Sequence, residues 1–266
     1  MSLPLLKRYG APNQFDRLKW FALTLMTIDH IGAYLLPDWH VLRAIGRGAV
    51  PLWLFVAGYH AASRPAGDFG WAKKNALPFL LYSGIFVGLD YLFSQPLLPI
   101  TILPLIFFAH VVLVMPVTRR LLQREALTIA VYAVLALPSL FLVEYGTQTL
   151  LFAMIGYFVQ QRRDDAITRI IALATGLLYV GIQNMFFDFN PLLELFVLCL
   201  GMTVVMWVLS FQEGPWNYTV SHPAFGRFAC LLTRNSLHYY LLHHVLLQSL
   251  GYLLHPVPLF RLRLLY

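Results

Sequence analysis

Charge is what this 266-residue chain has least of: 12% of its residues are Asp, Glu, Lys or Arg, against about 25% in an ordinary soluble domain. With 59% hydrophobic residues and a mean hydropathy of +0.68, that scarcity excludes a soluble globular domain and leaves a polytopic membrane protein. Cysteine is nearly missing as well. Cys199 lies in an apolar run and Cys230 beside Arg227 and Arg234, so neither a disulfide framework nor a Cys-based metal site is available. The sequence has no HExxH, no CxxC, no glycine-rich phosphate loop and no GxSxG elbow, and its histidines fall at several depths. Internal repeats and low-complexity tracts are also lacking, and apolar runs recur throughout, so residues 1–266 read as one membrane domain.

What is present is a series of runs near the length of about 20 residues that crosses a bilayer as helix. The expected fold class is all-α, a polytopic transmembrane helical bundle. About nine spans are expected, with eight or ten also open, at 17–36, 42–62, 76–94, 97–116, 126–144, 146–160, 166–186, 190–211 and 236–254. The sixth is short and the fourth carries Pro99 and Pro104, so either can be broken or re-entrant. Lys7 and Arg8 precede the first run like a signal peptide's basic end, but that run contains Asp-His and lacks a small-residue cleavage site, so it reads as a retained anchor. With the N-terminus cytoplasmic, 15 of the 19 basic residues fall inside and only Arg43, Arg47, Arg261 and Arg263 outside. The net charge of +7 is therefore an insertion signal and an attraction to anionic lipid, with no nucleic-acid partner implied.

Ionisable groups inside spans are costly and mark function unless a structural partner explains them. Asp29 and His30 lie two-thirds of the way along the first span. Arg43 and Arg47 open the second from the same outer side, on one helical face. Asp90, Glu144, Asp188 and Glu194 also fall in the outer half, which makes a polar vestibule open to the outside. Asp29 can equally be a buried partner of Arg47 that ties two helices together. His30, embedded between Asp29 and Gly32, has no route to the surface, whereas His60 and His110 near the cytoplasmic side suit structural roles. Lys19 stands eleven residues before His30, close to three turns, which puts both on nearly one face about 16 Å apart. The last span opens with NSLHYYLLHH, where Ser236, Tyr240 and His243 share a face; His243 and His244 lie too deep for an interfacial belt. These groups fit a membrane-embedded group transferase better than a transporter, which would often show inverted repeats and paired interrupted helices.

LKWFALTLMTIDHIGAYLLP followed by LRAIGRGAVPLWLFVAGYHAASR resembles the opening of the TraX family of conjugative-pilin acetylases. The shared pattern is a Lys near the helix start, then MxxDHxG, LRxIGRxxxP and a Gly-aromatic pair before a basic loop. It covers Leu18 to Arg64. Lys19 and His30 are also similar to the basic-residue, ten-spacer, His pattern of the wider integral membrane acyltransferases, and NSLHYYLLHH to a motif near their end. Where family members often carry an acid before the Gly of the second helix, this chain has Ala57.

The resemblance implies an acetyltransferase of the bacterial inner membrane. Its co-substrate would be cytoplasmic acetyl-CoA, and its acceptor the N-terminal amine of a pilin subunit or an envelope glycan. On that reading Lys19 holds CoA phosphate, Tyr240 and His243 line the path of the pantetheine arm, and His30 is the general base of a direct transfer or, alternatively, carries the acetyl as a covalent intermediate. Asp29 positions Arg47 as oxyanion donor, while Arg43 and Asp90 receive the acceptor. No metal is implied. A small-solute transporter without enzymatic activity is the alternative.

Overall fold

The computed structural model describes residues 11–93, 95, 102–122, 148–161, 166–187, 189–217 and 222–256, and every regular element among them is an α-helix. The expected 126–144 span, and Lys7, Arg8, Pro99, Arg124, Glu144, Arg162, Arg163, Asp188, Arg261 and Arg263, lie outside the described residues.

Helix α1 (Gln14–Tyr34) starts at a capping box: the Asn13 side chain accepts the Asp16 amide at 3.0 Å and the Asp16 carboxylate accepts the Asn13 amide at 3.1 Å. The expected 42–62 helix is broken. α2 (His40–Gly46) and α3 (Ala49–Ala62) are separated at Arg47 and Gly48, and Pro51, which has no amide hydrogen to donate, falls in the first turn of α3. The break frees carbonyls that side chains then satisfy. Arg47 Nε donates to the Arg43 carbonyl at 3.0 Å and the Tyr179 hydroxyl to the Arg47 carbonyl at 2.7 Å. α4 (Gly70–Leu92) begins six residues before the expected 76–94 span, with Lys73 and Lys74 inside its first turns. α5 (Ile102–Val114) and the short α6 (Pro116–Leu121) follow.

α7 (Gln148–Gln160) has 13 residues, about 20 Å of helix, which is short of a hydrocarbon core of about 30 Å. It is a core element instead. Leu150 to Ile155 and Phe158 are buried, as expected of a helix apolar on all sides. α3 and α7 touch backbone to backbone: a Cβ on Gly58 would overlap the Ala153 carbonyl, and one on Gly156 the Phe55 carbonyl. Small residues permit that approach, as in other membrane helix pairs.

α8 (Ala166–Phe187), α9 (Pro191–Leu209), α10 (Pro223–Arg234) and α11 (Ser236–Leu254) complete the bundle. The last coincides with the expected span, whereas α10, an amphipathic helix ahead of it, has no counterpart among those expectations. Among the described residues, four helical runs are long and apolar enough to cross a membrane: His40–Ala62, α4, Ala166–Met185 and α9. Large apolar side chains such as Leu80 of α4, Leu192 of α9 and Leu253 of α11 face outward, a surface suited to lipid rather than water. The protein is a membrane protein.

α1 and α11 are less apolar because they bury polar groups, Asp16 and Asp29 on one, His243, His244 and Gln248 on the other. They run parallel. Thr27 meets Tyr239, His30 meets His243, Tyr34 meets His244, and the Leu35 carbonyl meets His255. The Tyr34 carbonyl would lie 2.6 Å from a Cβ on Gly251, so this pair also closes on a glycine.

Candidate active site

Polar side chains gather at three levels along the α1–α11 pair. At the first turn of α1, ahead of the membrane span, buried Asp16 ties α10 down. Thr233 Oγ1 donates to it at 2.8 Å and Arg234 Nη2 at 2.9 Å. Burial opposes the Asp16 charge, but hydrogen bonds from Arg234, the Asn13 backbone and Thr233 outweigh it and hold the carboxyl below its usual range. The Cys230 thiol beside it is pushed up to about 11 by burial and by the Asp16 carboxylate, so it is no nucleophile at neutral pH.

Beside this clamp opens a cavity of about 720 Å³ between α1, α3, α4, α5 and the α10–α11 turn. Its wall carries Lys19, Arg64 and Arg234 with His60, His110 and His238, and no carboxylate among the described lining, so it suits an anion. It runs along α3 from Trp53 to His60, seven residues or about 10 Å, and on to Arg64 beyond the helix end. His60 packs on Phe15 with centroids 4.6 Å apart and His110 on Trp71 at 4.1 Å. These two histidines, expected to be structural, line the cavity, and the buried His110 Nε2 has no hydrogen-bond partner among the described residues. Ala57 lines the same wall. The described lining ends at His238 and Phe79, below the edge-to-face contact of Phe86 with Tyr240 (5.2 Å).

Beyond that contact sits an imidazole cluster. His30 Nδ1 lies 2.9 Å from His243 Nε2, the two rings within 8° of parallel. His243 Nδ1 lies 2.8 Å from the Tyr239 carbonyl. His244 stands edge-on to His30 at 4.9 Å and meets the Tyr34 hydroxyl at 3.3 Å, while Tyr240 and Tyr34 pack around the same ring.

One helical step from His30, Asp29 is held between two guanidinium groups, Arg43 at 2.9 Å and Arg47. Arg47 is 2% exposed, and each of its nitrogens is engaged: Nε by the Arg43 carbonyl, Nη1 by Gln183 at 3.3 Å, Nη2 by Asp29. Phe187 covers it, its ring centroid 4.4 Å from Cζ. Gly46 is required there, since a Cβ would run into Asp29.

The structure thus gathers His30, Tyr240 and His243, sets Asp29, Arg43 and Arg47 beside them, and places Lys19 in the basic cavity. Asp90 joins neither group: it accepts from Gln248 Nε2 at 3.0 Å, across α4 and α11. Arg47, expected as an oxyanion donor, is built as a brace of α1, α2 and α8; Arg43, 21% exposed, is the accessible member. Gln183, Tyr179, Asp16, Tyr34 and Phe187 escaped the sequence reading. Only Asp16 left a local signal, its place three residues after Asn13.

In comparison with known proteins, the family model described as TraX protein matches residues 14–221. An uncharacterized protein, RP591, of Rickettsia prowazekii (strain Madrid E) is 49% identical over 53 residues, 20% of this chain and 21% of that protein. The matched stretch thus spans about a fifth of that relative's length. No solved structure matches.

Proposed function

The chain belongs to the TraX family, and on that premise we propose that it is an acetyltransferase of the bacterial inner membrane that carries acetyl from cytoplasmic acetyl-CoA to the N-terminal amine of a pilin subunit at the outer face. One observation supports this above the others: a basic cavity at Lys19 and an imidazole at His30 lie on one helix, eleven residues or about 16 Å apart. That separation suits a cofactor with a phosphorylated head and a long thioester-bearing arm. Lys19, Arg64 and Arg234 take the phosphates. The arm passes along α1 and α11, displacing the Phe86–Tyr240 contact, to bring the thioester to His30. There the neutral amine attacks the thioester carbonyl, His30 takes the amine proton, the C–S bond breaks, and the proton goes to the leaving thiolate. Arg43 faces the acceptor side, and Asp29 and Arg47 hold it there.

Purified protein with labelled acetyl-CoA should release CoA and label a pilin peptide. Mass spectrometry of membranes with and without the gene then identifies the acceptor. One acetyl on a pilin N-terminus supports the reading; one on an envelope glycan, with pilins unchanged, replaces the acceptor.

CoA should raise the melting temperature, because a ligand bound only by the folded protein stabilises it by mass action, about 2.7 kcal/mol at a hundred times Kd. Lys19→Ala and raised salt should both shrink the shift. A melting curve unmoved by CoA would favour the transporter.

The orientation follows from charge and is tested by labelling. In a variant lacking Cys199 and Cys230, Asp38→Cys should react with an impermeant maleimide from outside. Reaction only after permeabilisation would reverse the topology and with it the direction of transfer.

A further inference from the structure

We infer that His243 is a positioning residue which locks His30 in one tautomer, with its proton on Nδ1 and a lone pair on Nε2, so that Nε2 is the basic atom. The inference rests on the transferase reading for its role, but not for its geometry. It begins at a backbone carbonyl. Tyr239 O can only accept, so His243 Nδ1, 2.8 Å away, carries a hydrogen. Among the described residues the neighbouring carboxylate, Asp29, is engaged by Arg43 and Arg47 and so does not charge the ring pair. In a neutral His243 the lone pair is then on Nε2, and it faces His30 Nδ1 at 2.9 Å. That contact is a hydrogen bond only if His30 Nδ1 donates. His30 Nε2 is left with the lone pair, and Nδ1 makes the ring's one hydrogen bond among the described residues.

The arrangement does for His30 what a carboxylate does in a hydrolase triad, orienting the ring and fixing its tautomer. Here the acceptor is a second imidazole whose own tautomer is set by the helix backbone. Tyr239 and His243 are four residues apart on α11, so the carbonyl cannot move away without unwinding that turn. His244 edge-on at 4.9 Å and Tyr34 hem the His30 ring in. In the transfer, Nε2 takes the proton from the amine as nitrogen attacks the thioester carbon, then gives it to the thiolate as the C–S bond breaks. The Nδ1 hydrogen stays on the bond to His243 throughout. His243 touches no reacting atom.

Two measurements on the full chain in nanodiscs test this. ¹⁵N-histidine NMR of the wild type should show His30, assigned with His30→Ala, with a protonated Nδ1 and a bare Nε2. His243→Gln offers a side-chain oxygen where Nε2 stood and should keep the tautomer, with kcat within about tenfold of wild type. His243→Leu offers no acceptor and should lose about 10²- to 10⁴-fold in kcat, with the His30 Nε2 protonated or mixed. A wild-type His30 protonated on Nε2, or Gln and Leu variants equally impaired with the tautomer unaltered, would overturn the assignment. If the wild type transfers acetyl to no acceptor, the transferase reading falls while the spectrum still decides the tautomer.

Discussion

His30→Ala is expected to lower acetyl transfer by about 10²- to 10⁴-fold, the contribution of a positioned general base. The substitution should leave the fold nearly as it is. Among the described residues His30 makes one side-chain hydrogen bond, to His243; the α1–α11 pair keeps Thr27–Tyr239 and Tyr34–His244, and α1 keeps its clamp to α10 at Asp16. Initial rates of label transfer, set beside CoA-induced melting shifts, separate the two effects. CoA should still bind at the Lys19 cavity, on the far side of the Phe86–Tyr240 contact. A variant that turns over at the wild-type rate would remove His30 from the chemistry, and with it the role given to His243.

Asp29→Ala should do the opposite, costing stability before activity. It leaves Arg47, 2% exposed, and Arg43 facing each other with no carboxylate between them. Removing one partner of a buried ion pair costs about 3–5 kcal/mol, because the remaining charge stays desolvated. That is a large share of the 5–15 kcal/mol or so that holds a typical domain folded. Asp29→Asn keeps an acceptor for one arginine and should be milder. Thermal unfolding without CoA reads this directly. An Asp29→Ala protein that melts like the wild type yet transfers no acetyl would make Asp29 a catalytic residue instead of a brace.

The two residues carried different amounts of information before folding. An acid two-thirds along an apolar run must find a cation, and the arginines at 43 and 47 are the near ones on the same side, so the pairing of Asp29 with Arg47 was readable from the cost of burying charge. That Arg43 shares the carboxylate, and that Gln183 and Phe187 close over Arg47, depends on where α8 lands. Ala57 was conspicuous as a departure from the family pattern, but its place on the wall of the basic cavity emerged only in three dimensions.

Composition and hydropathy determined by themselves that this is an all-helical membrane protein, and placed α11 at Ser236–Leu254. Burying backbone in lipid demands helices, and the apolar length of each run sets its extent. The DH and LRAIGR motifs were enough for the family. Hydropathy could not show the break at Arg47 and Gly48, because that break depends on carbonyls being satisfied by Tyr179 and by Arg47 itself, which is not a matter of apolarity. Nor could it show α10, whose packing rests on Asp16 more than two hundred residues earlier. The pairing of His30 with His243 belongs to tertiary structure for the same reason. Depth along a helix can be counted in sequence, but rotation about its axis and the identity of the facing helix are set by packing, here by parallel helices drawn together at Gly251 and Tyr34.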